Sequence, residues 1–420
     1  MLCGHGHFAE RGRAEPRRRA GQNGPAQIRR RPAPAGAGRG PAVKPHRFII
    51  AAGGTGGHLW PALSLARALK KIRPESEFLF VGTGRPIEEK ILGPENWNRT
   101  VLKTSGIKGQ GILGKIKAVG ECAAGTADAV KLIRSFKPSL CVGVGGYVTV
   151  PVGLAAKICG VPLVIHEQNS RPGLSNKVLA RMARLVMVAF EEAAGFFQQA
   201  KTVVTGNPIR PEIEALHNKQ RDFSQQAPVI VITGGSQGAA ALNKAASEAM
   251  ALLSGQGLTF KIIHQTGEAD RDMIEGYYAG RGVDHQVAAF FQDMAAIYGQ
   301  ADLVIGRAGA ITISELAAAG LPSVLVPLPT AADDHQTVNA RHLSERDAAI
   351  LLPQKELTPE ILAETVSGLL KDRTKLAAMS KAAGQTAQPG ADEYMAWIAL
   401  RVMYGEPVRN IGRDDIKCGN

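Results

Sequence analysis

Two glycine-rich turns of the same construction lie about half a chain apart. One is Phe48-Ile49-Ile50-Ala51-Ala52-Gly53-Gly54-Thr55-Gly56-Gly57-His58, the other Val229-Ile230-Val231-Ile232-Thr233-Gly234-Gly235-Ser236-Gln237-Gly238-Ala239. In each, a short apolar β-branched run stops at a glycine pair, passes a hydroxyl residue and enters an Ala/Leu-rich stretch with helical spacing. That is a strand, a tight turn and a helix N-terminus, twice. Free amides and the positive end of the helix dipole then point into the turn, where an anionic group can bind if glycines let the backbone approach. The pattern predicts two α/β domains with a cleft between them.

A chain of 420 residues has room for two domains with full cores. Its net charge of +13 is unevenly spread: residues 1–47 carry eleven Arg and Lys against Glu10 and Glu15, a local excess of nine that leaves +4 for the rest. A mildly basic body suits an anionic ligand or an acidic membrane surface, and is weak evidence for nucleic acid. Residues 1–44 are rich in Arg, Pro, Gly and Ala and lack the apolar residues for a core, so disorder is expected there. The arm has no interleaved aromatics and no amphipathic spacing, which favours a dispensable extension over a basic binding arm. Its lack of an apolar stretch also argues against a secretory signal. Five cysteines without C-x-x-C spacing suggest neither a disulfide framework nor a zinc site, and fit a reducing cytoplasm. No run approaches the roughly 20 apolar residues of a membrane span.

Apolar runs alternate with helical segments from 46 to about 205 and again from 229, which means parallel sheets covered on both faces. Helices are expected at, among others, Pro61–Ile72 and Gly125–Phe136. Between the halves, Pro211–Pro228 is polar and unpatterned and reads as a linker. The expected layout is a basic arm (1–45), a first Rossmann-like domain (46–208), a second (209–388), a helix at 389–405 that can return to the first domain although sequence alone does not place it, and a tail (406–420).

The first turn lacks G-x-G-x-x-G spacing, and no acidic residue closes the second strand, where Phe80-Val81-Gly82-Thr83-Gly84 stands. A nicotinamide-type oxidoreductase is therefore disfavoured. His58 falls at a helix start beside the glycines, at the carboxyl ends of the strands, a placement that suits a catalytic imidazole. Gly145-Gly146-Tyr147-Val148 is a third glycine turn. His166-Glu167-Gln168-Asn169 ends an apolar strand, and four polar residues there need each other or a ligand. Arg210, in Gly206-Asn207-Pro208-Ile209-Arg210, can reach a diphosphate or a base. Glu315 sits one turn into a helix, where a carboxylate either accepts two ribose hydroxyls or offsets the helix dipole. Asp333-Asp334-His335 hints at a metal, but contiguous ligands point to different sides of a turn, so no metal and no cofactor is expected.

These motifs, with Gly309-Ala310-Ile311-Thr312-Ile313-Ser314-Glu315 and His335-Gln336-x-x-Asn339-Ala340, occur in one order from about residue 46 to 400 and resemble the MurG family of N-acetylglucosaminyltransferases of peptidoglycan synthesis. The resemblance implies a GT-B fold, two Rossmann-like domains with parallel sheets facing across a cleft. It implies a UDP-GlcNAc donor mainly in the C-terminal domain and a lipid-linked acceptor, lipid I, in the N-terminal one. Transfer would be inverting and metal-independent, at the cytoplasmic face of the membrane, with room for contact with other cell-wall synthesis proteins. Carried over motif by motif, Thr55, Gly56 and Gly57 with Asn169 would lie against GlcNAc and the acceptor. Arg210 and Ser236 would contact the nucleotide and phosphates, Phe291 would stand beside uracil, Ala310, Ile311, Thr312, Ile313, Ser314 and Glu315 would wrap the diphosphate and ribose, and Gln336 would bond GlcNAc hydroxyls. His58 is then the best-placed base for the acceptor hydroxyl, with Glu167 as the rival.

The chain departs from the family twice. The N-terminal membrane patch, Ile112, Leu113, Ile116 and Val119 with Lys108, Lys115 and Lys117, has no aromatic, and its spacing fits an ordinary core-packed helix as well as a membrane-facing one. The family also does not account for the arm. A transferase with another acceptor, such as a diacylglycerol or a polyketide, is disfavoured by the motifs at 145–148 and 166–169. An inactive membrane-docked scaffold is disfavoured by intact His58, Glu315 and Gln336.

Overall fold

The computed structural model describes residues 45–408 except 55, 105–111, 199, 225, 226 and 236, and gives only the backbone of 112–116 and 332. The expected arm, Thr55, Lys108 and Ser236, most of the tail, and the side chains of Ile112, Leu113, Lys115 and Ile116 therefore lie outside the described residues.

The first half runs β1 (Arg47–Ala52), α1 (Gly56–Ile72), β2 (Glu77–Gly82), α2 (Pro86–Leu92), β3 (Arg99–Val101), α3 (Ile112–Phe136), β4 (Leu140–Gly145), α4 (Thr149–Ile158), β5 (Leu163–Glu167), α5 (Leu174–Ala180), β6 (Leu185–Val188), α6 (Glu191–Ala194) and β7 (Thr202–Val204). The second runs α7 (Pro211–Glu214), β8 (Val229–Thr233), α8 (Ala240–Gly255), β9 (Lys261–Gln265), α9 (Arg271–Ala279), β10 (His285–Ala288), α10 (Met294–Gln300), β11 (Leu303–Gly306), α11 (Ala310–Ala318), β12 (Ser323–Leu325), α12 (His335–Ser344), β13 (Ala349–Leu351), α13 (Pro359–Lys371), α14 (Arg373–Gln385) and α15 (Ala391–Tyr404).

Both sheets are parallel and share one winding. Their strand orders are β3-β2-β1-β4-β5-β6-β7 and β10-β9-β8-β11-β12-β13. The order reverses direction beside β1 in one and β8 in the other, which opens a crevice at the carboxyl ends of β1/β4 and β8/β11. Alternate side chains of β1 enter different cores: Phe48 and Ile50 pack with α1, while Ile49 and Ala51 pack with α4. Tyr394, Met395, Ile398 and Ala399 of α15 are buried in the same cluster as Leu59, Leu63 and Ala66 of α1, so the last helix completes the core of the first sheet.

The polar stretch 211–228 is more tightly held than its composition suggests. Ile213 and Phe223 are buried, and the Arg221 guanidinium donates to the carbonyls of Tyr298 at 2.9 Å, Ala301 at 2.6 Å and Ala319 at 2.7 Å. An arginine that satisfies orphan carbonyls at helix ends looks like an ordinary solvated charge in sequence. The expected helix at Gly125–Phe136 begins earlier, at Ile112. Within it Ala118 is buried, while Lys117 and Val119 are exposed.

Candidate active site

At the crevice of the first sheet, β1 ends and α1 begins at Gly56, which puts His58 in the first helical turn. Its Nδ1 lies 3.0 Å from the Gly53 carbonyl oxygen. A carbonyl only accepts, so Nδ1 carries the proton and, in the neutral ring, Nε2 keeps the lone pair. The ring is seated against Gly145, whose φ is +122°. A Cβ there would stand 2.6 Å from His58 Cδ2, so this position must be glycine. Burial lowers the His58 pKa; the Gly53 carbonyl and the Glu167 charge pull it back up, and His335 adds a smaller depression.

The end of β5 resolves its four polar residues largely among themselves. Glu167 is buried, and its carboxylate accepts Asn169 N at 2.9 Å, Asn169 Nδ2 at 3.1 Å, Gly173 N at 3.1 Å and Asn176 Nδ2 at 2.9 Å. Both oxygens are thus committed to shaping the 167–176 turn. His166 donates from Nε2 to the Gly206 carbonyl at 3.1 Å, and its Nδ1 accepts from Gln168 Nε2 at 3.0 Å. Burial lowers its pKa to about 4, which keeps it a neutral structural bridge.

The two halves are tied by amides. Asn339 of α12 accepts Ser170 N at 2.8 Å and donates to Asn169 Oδ1 at 3.2 Å. Asn207 donates to the Gln168 carbonyl at 3.0 Å and to Ser314 Oγ at 3.1 Å. Farther out, Glu192 accepts from His342 at 3.0 Å and Arg346 at 3.2 Å.

A cavity of about 690 Å³ lies between α1 and the carboxyl end of the second sheet. Gly56, Gly57 and Trp60 form one wall; Thr233, Gly235, Gln265, Arg210 and Glu315 form the other. Arg210 donates from Nε at 3.1 Å and Nη2 at 2.9 Å to a single oxygen of Glu315, Oε1. Glu315 is buried; burial raises its pKa and the Arg210 charge counters that. In the second glycine turn, Gly238 at φ +74° passes so close to the Thr266 carbonyl that a Cβ would stand 2.1 Å from its oxygen.

The run 310–315 does not face one way. Ile311, Thr312 and Glu315 line the cavity, as helical spacing allows for one face. Ala310, Ile313 and Ser314 point elsewhere: Ile313 is in the core and Ser314 bonds Asn207. Phe291 packs against the apolar cluster around α10 and α11 and anchors its amide on Gln265 Oε1 at 3.0 Å. Its neighbour Phe290 lines the cavity, with Lys90 of α2 5.4 Å above its ring. Gln336, in the first turn of α12, accepts Leu328 N at 3.0 Å through Oε1. Among the described residues its Nε2 has no partner, which leaves it as a donor for a ligand hydroxyl. Asp334 accepts from Thr337 Oγ1 at 2.6 Å.

Sequence reasoning missed Trp60, Gln265, Phe290 and Tyr298 as cavity residues. Trp60 follows Gly56 by four positions and so shares its helical face, a signal that was available. The other three lie at strand ends or on short helices, where only the fold brings them to the crevice.

Residues 48–188 match the glycosyltransferase family 28 N-terminal domain and residues 229–394 the glycosyltransferase family 28 C-terminal domain. The chain is 42% identical over 357 residues, 85% of its length and 99% of the relative's, to the UDP-N-acetylglucosamine–N-acetylmuramyl-(pentapeptide) pyrophosphoryl-undecaprenol N-acetylglucosamine transferase of Syntrophotalea carbinolica. To the protein of the same name from Myxococcus xanthus it is 39% identical, covering 85% of this chain and 93% of that one. The crystal structure of Acinetobacter baumannii MurG superposes with a TM-score of 0.70 at 34% identity, covering 85% of this chain and 99% of that chain. A UDP-N-acetylglucosamine 2-epimerase from Listeria monocytogenes, at 16% identity and a TM-score of 0.62, shares the fold alone. With two parallel sheets facing across one cleft and relatives matched over nearly their whole length, the chain belongs to glycosyltransferase family 28, among the MurG-type N-acetylglucosamine transferases.

Proposed function

We propose that this chain transfers N-acetylglucosamine, with inversion, from UDP-GlcNAc to the C4 hydroxyl of the MurNAc unit in undecaprenyl-pyrophosphoryl-MurNAc-pentapeptide, the step from lipid I to lipid II. The observation that carries the reading is His58: an imidazole whose Nδ1 is tied to Gly53 O, whose Nε2 makes no hydrogen bond among the described residues, and which follows directly on Gly56 and Gly57, two residues that line the cavity holding the Arg210–Glu315 pair. As the acceptor oxygen attacks the anomeric carbon, its proton passes to Nε2. The imidazolium so formed is favoured by the Gly53 carbonyl and the Glu167 charge. UDP departs from the opposite face. Its charge is assigned to the amide-rich N-termini of α8 and α11 and to Arg210, with no metal required.

The acceptor's lipid implies work at a membrane surface. Among the described residues no helix is long and apolar enough to cross a bilayer, and exposed Val119 beside Lys117 supports peripheral attachment through α3 at the cytoplasmic face. The test is UDP release from UDP-GlcNAc with a lipid I analogue, against UDP-glucose and NADH controls, with and without EDTA. Transfer confined to UDP-GlcNAc and indifferent to EDTA is expected. Equal turnover with UDP-glucose would overturn the donor assignment. Loss in chelator, restored by magnesium or manganese, would return Asp333, Asp334 and His335 to consideration as metal ligands.

A further inference from the structure

Tyr298 is one of the largest fully buried side chains in the molecule, at 2% exposure, yet it forms part of the wall of the 690 Å³ cavity. Its hydroxyl makes no hydrogen bond among the described residues. A buried phenol normally finds a partner, since an unmet polar group in the interior is costly. The other buried tyrosine of this domain follows that rule: the Tyr278 hydroxyl bonds His264 Nδ1 at 3.0 Å. Tyr298 instead lines the same cavity as Arg210 and Glu315; burial and the Glu315 charge raise its pKa and the Arg210 charge counters that, so the phenol is neutral.

That pair is itself half-used. Both Arg210 donors fall on Glu315 Oε1, and Oε2 accepts no hydrogen bond among the described residues. The same cavity therefore offers a free carboxylate oxygen, which only accepts, and a neutral hydroxyl, which donates or accepts. An anion is the wrong occupant, because it meets a carboxylate. Two adjacent hydroxyls fit: one donates to Oε2 while its neighbour bonds the phenol.

We propose that Tyr298 is a binding residue for the vicinal diol of the donor's ribose, acting with Glu315, and sets the enzyme's preference for a ribonucleotide over a deoxyribonucleotide. The inference rests on the reading of the cavity as the UDP-sugar site. Arg210, besides the charge it offers to the departing UDP, positions Glu315 by holding Oε1 and so leaves Oε2 for the ligand.

The experiment is calorimetric binding of UDP, 2′-deoxy-UDP and 3′-deoxy-UDP to the full chain and to Tyr298→Phe. The substitution removes one atom that bonds nothing in the protein, and thermal melting checks that the fold is kept. The wild-type chain should bind UDP more tightly than at least one deoxy analogue. In Tyr298→Phe, UDP binding should weaken by about three- to tenfold, the value of one neutral hydrogen bond, and that discrimination should narrow. Unchanged UDP affinity and unchanged discrimination in the variant would overturn the role of Tyr298 while leaving the site intact. Equal binding of UDP and both analogues by the wild type would overturn the diol reading for Tyr298 and Glu315 together. No UDP binding by the wild type would sink the proposed function itself.

Discussion

His58 Nδ1 and the Gly53 carbonyl oxygen, five residues apart in the chain, stand 3.0 Å from each other and fix which ring nitrogen carries the proton. If Nε2 is the base, His58→Ala should lower turnover by about 10²–10⁴-fold while UDP-GlcNAc still binds. Burial lowers the pKa of this ring from the ordinary 6.5, so the unprotonated, active form persists below that pH. The acidic limb of the pH–rate profile should therefore lie under 6.5 and vanish in the variant. Near-normal turnover with the same limb would exclude the assignment and leave a water-mediated group or Glu167 to take the proton.

Gln336 spends its carbonyl on Leu328 N and keeps its amide hydrogens for a ligand. Gln336→Ala should reduce turnover of UDP-GlcNAc and narrow its lead over the C4 epimer UDP-GalNAc, since a lost buried partner costs about 1–3 kcal/mol. Retained turnover with an unaltered preference, read from initial rates with both donors, would remove Gln336 from sugar recognition.

The Glu192 carboxylate, held by His342 and then by Arg346, has its pKa lowered to about 2 from 4.5. A depressed carboxylate stabilises the folded state above its unfolded pKa and loses that contribution as pH falls through the folded one. The difference in melting temperature between wild type and Glu192→Gln should be positive above pH 4.5 and shrink toward zero near pH 2. A difference that does not vary with pH would show that the link between the two halves is not electrostatic.

Membrane attachment through α3 should be reversible and salt-sensitive, as expected for a short apolar face with nearby lysines. A chain starting at residue 45 should still float with anionic vesicles, whereas Ile116→Glu should not. Binding lost on removing 1–44 alone would move the anchor to the basic arm.

Both sheets and the crevice were legible because parallel strands buried on two faces read as continuous apolar runs ending in glycine. The edge strand β3, Arg99–Val101, was not, since its mixed polar residues carry no such signal. The position of His58 could be inferred from its turn, and its tautomer could not, because the carbonyl that sets it is a backbone atom. Helical spacing would have split 310–315 into two faces, whereas reading the motif as a contiguous block hid that. Tyr298 escaped for the opposite reason: an aromatic in an apolar helix looks like core, and only the fold shows that it lines a cavity.

The docking of α15 on α1 makes the order of synthesis matter. The face of α1 that carries Leu59, Leu63 and Ala66 is emitted by the ribosome more than 300 residues before Met395 and Ile398, which cover it. Throughout translation of the second half, the first sheet therefore has an uncovered apolar flank, and α1 lacks the cover that α15 gives it. A chain stopped before residue 391 therefore keeps that flank uncovered, even though every residue of the first sheet has been made.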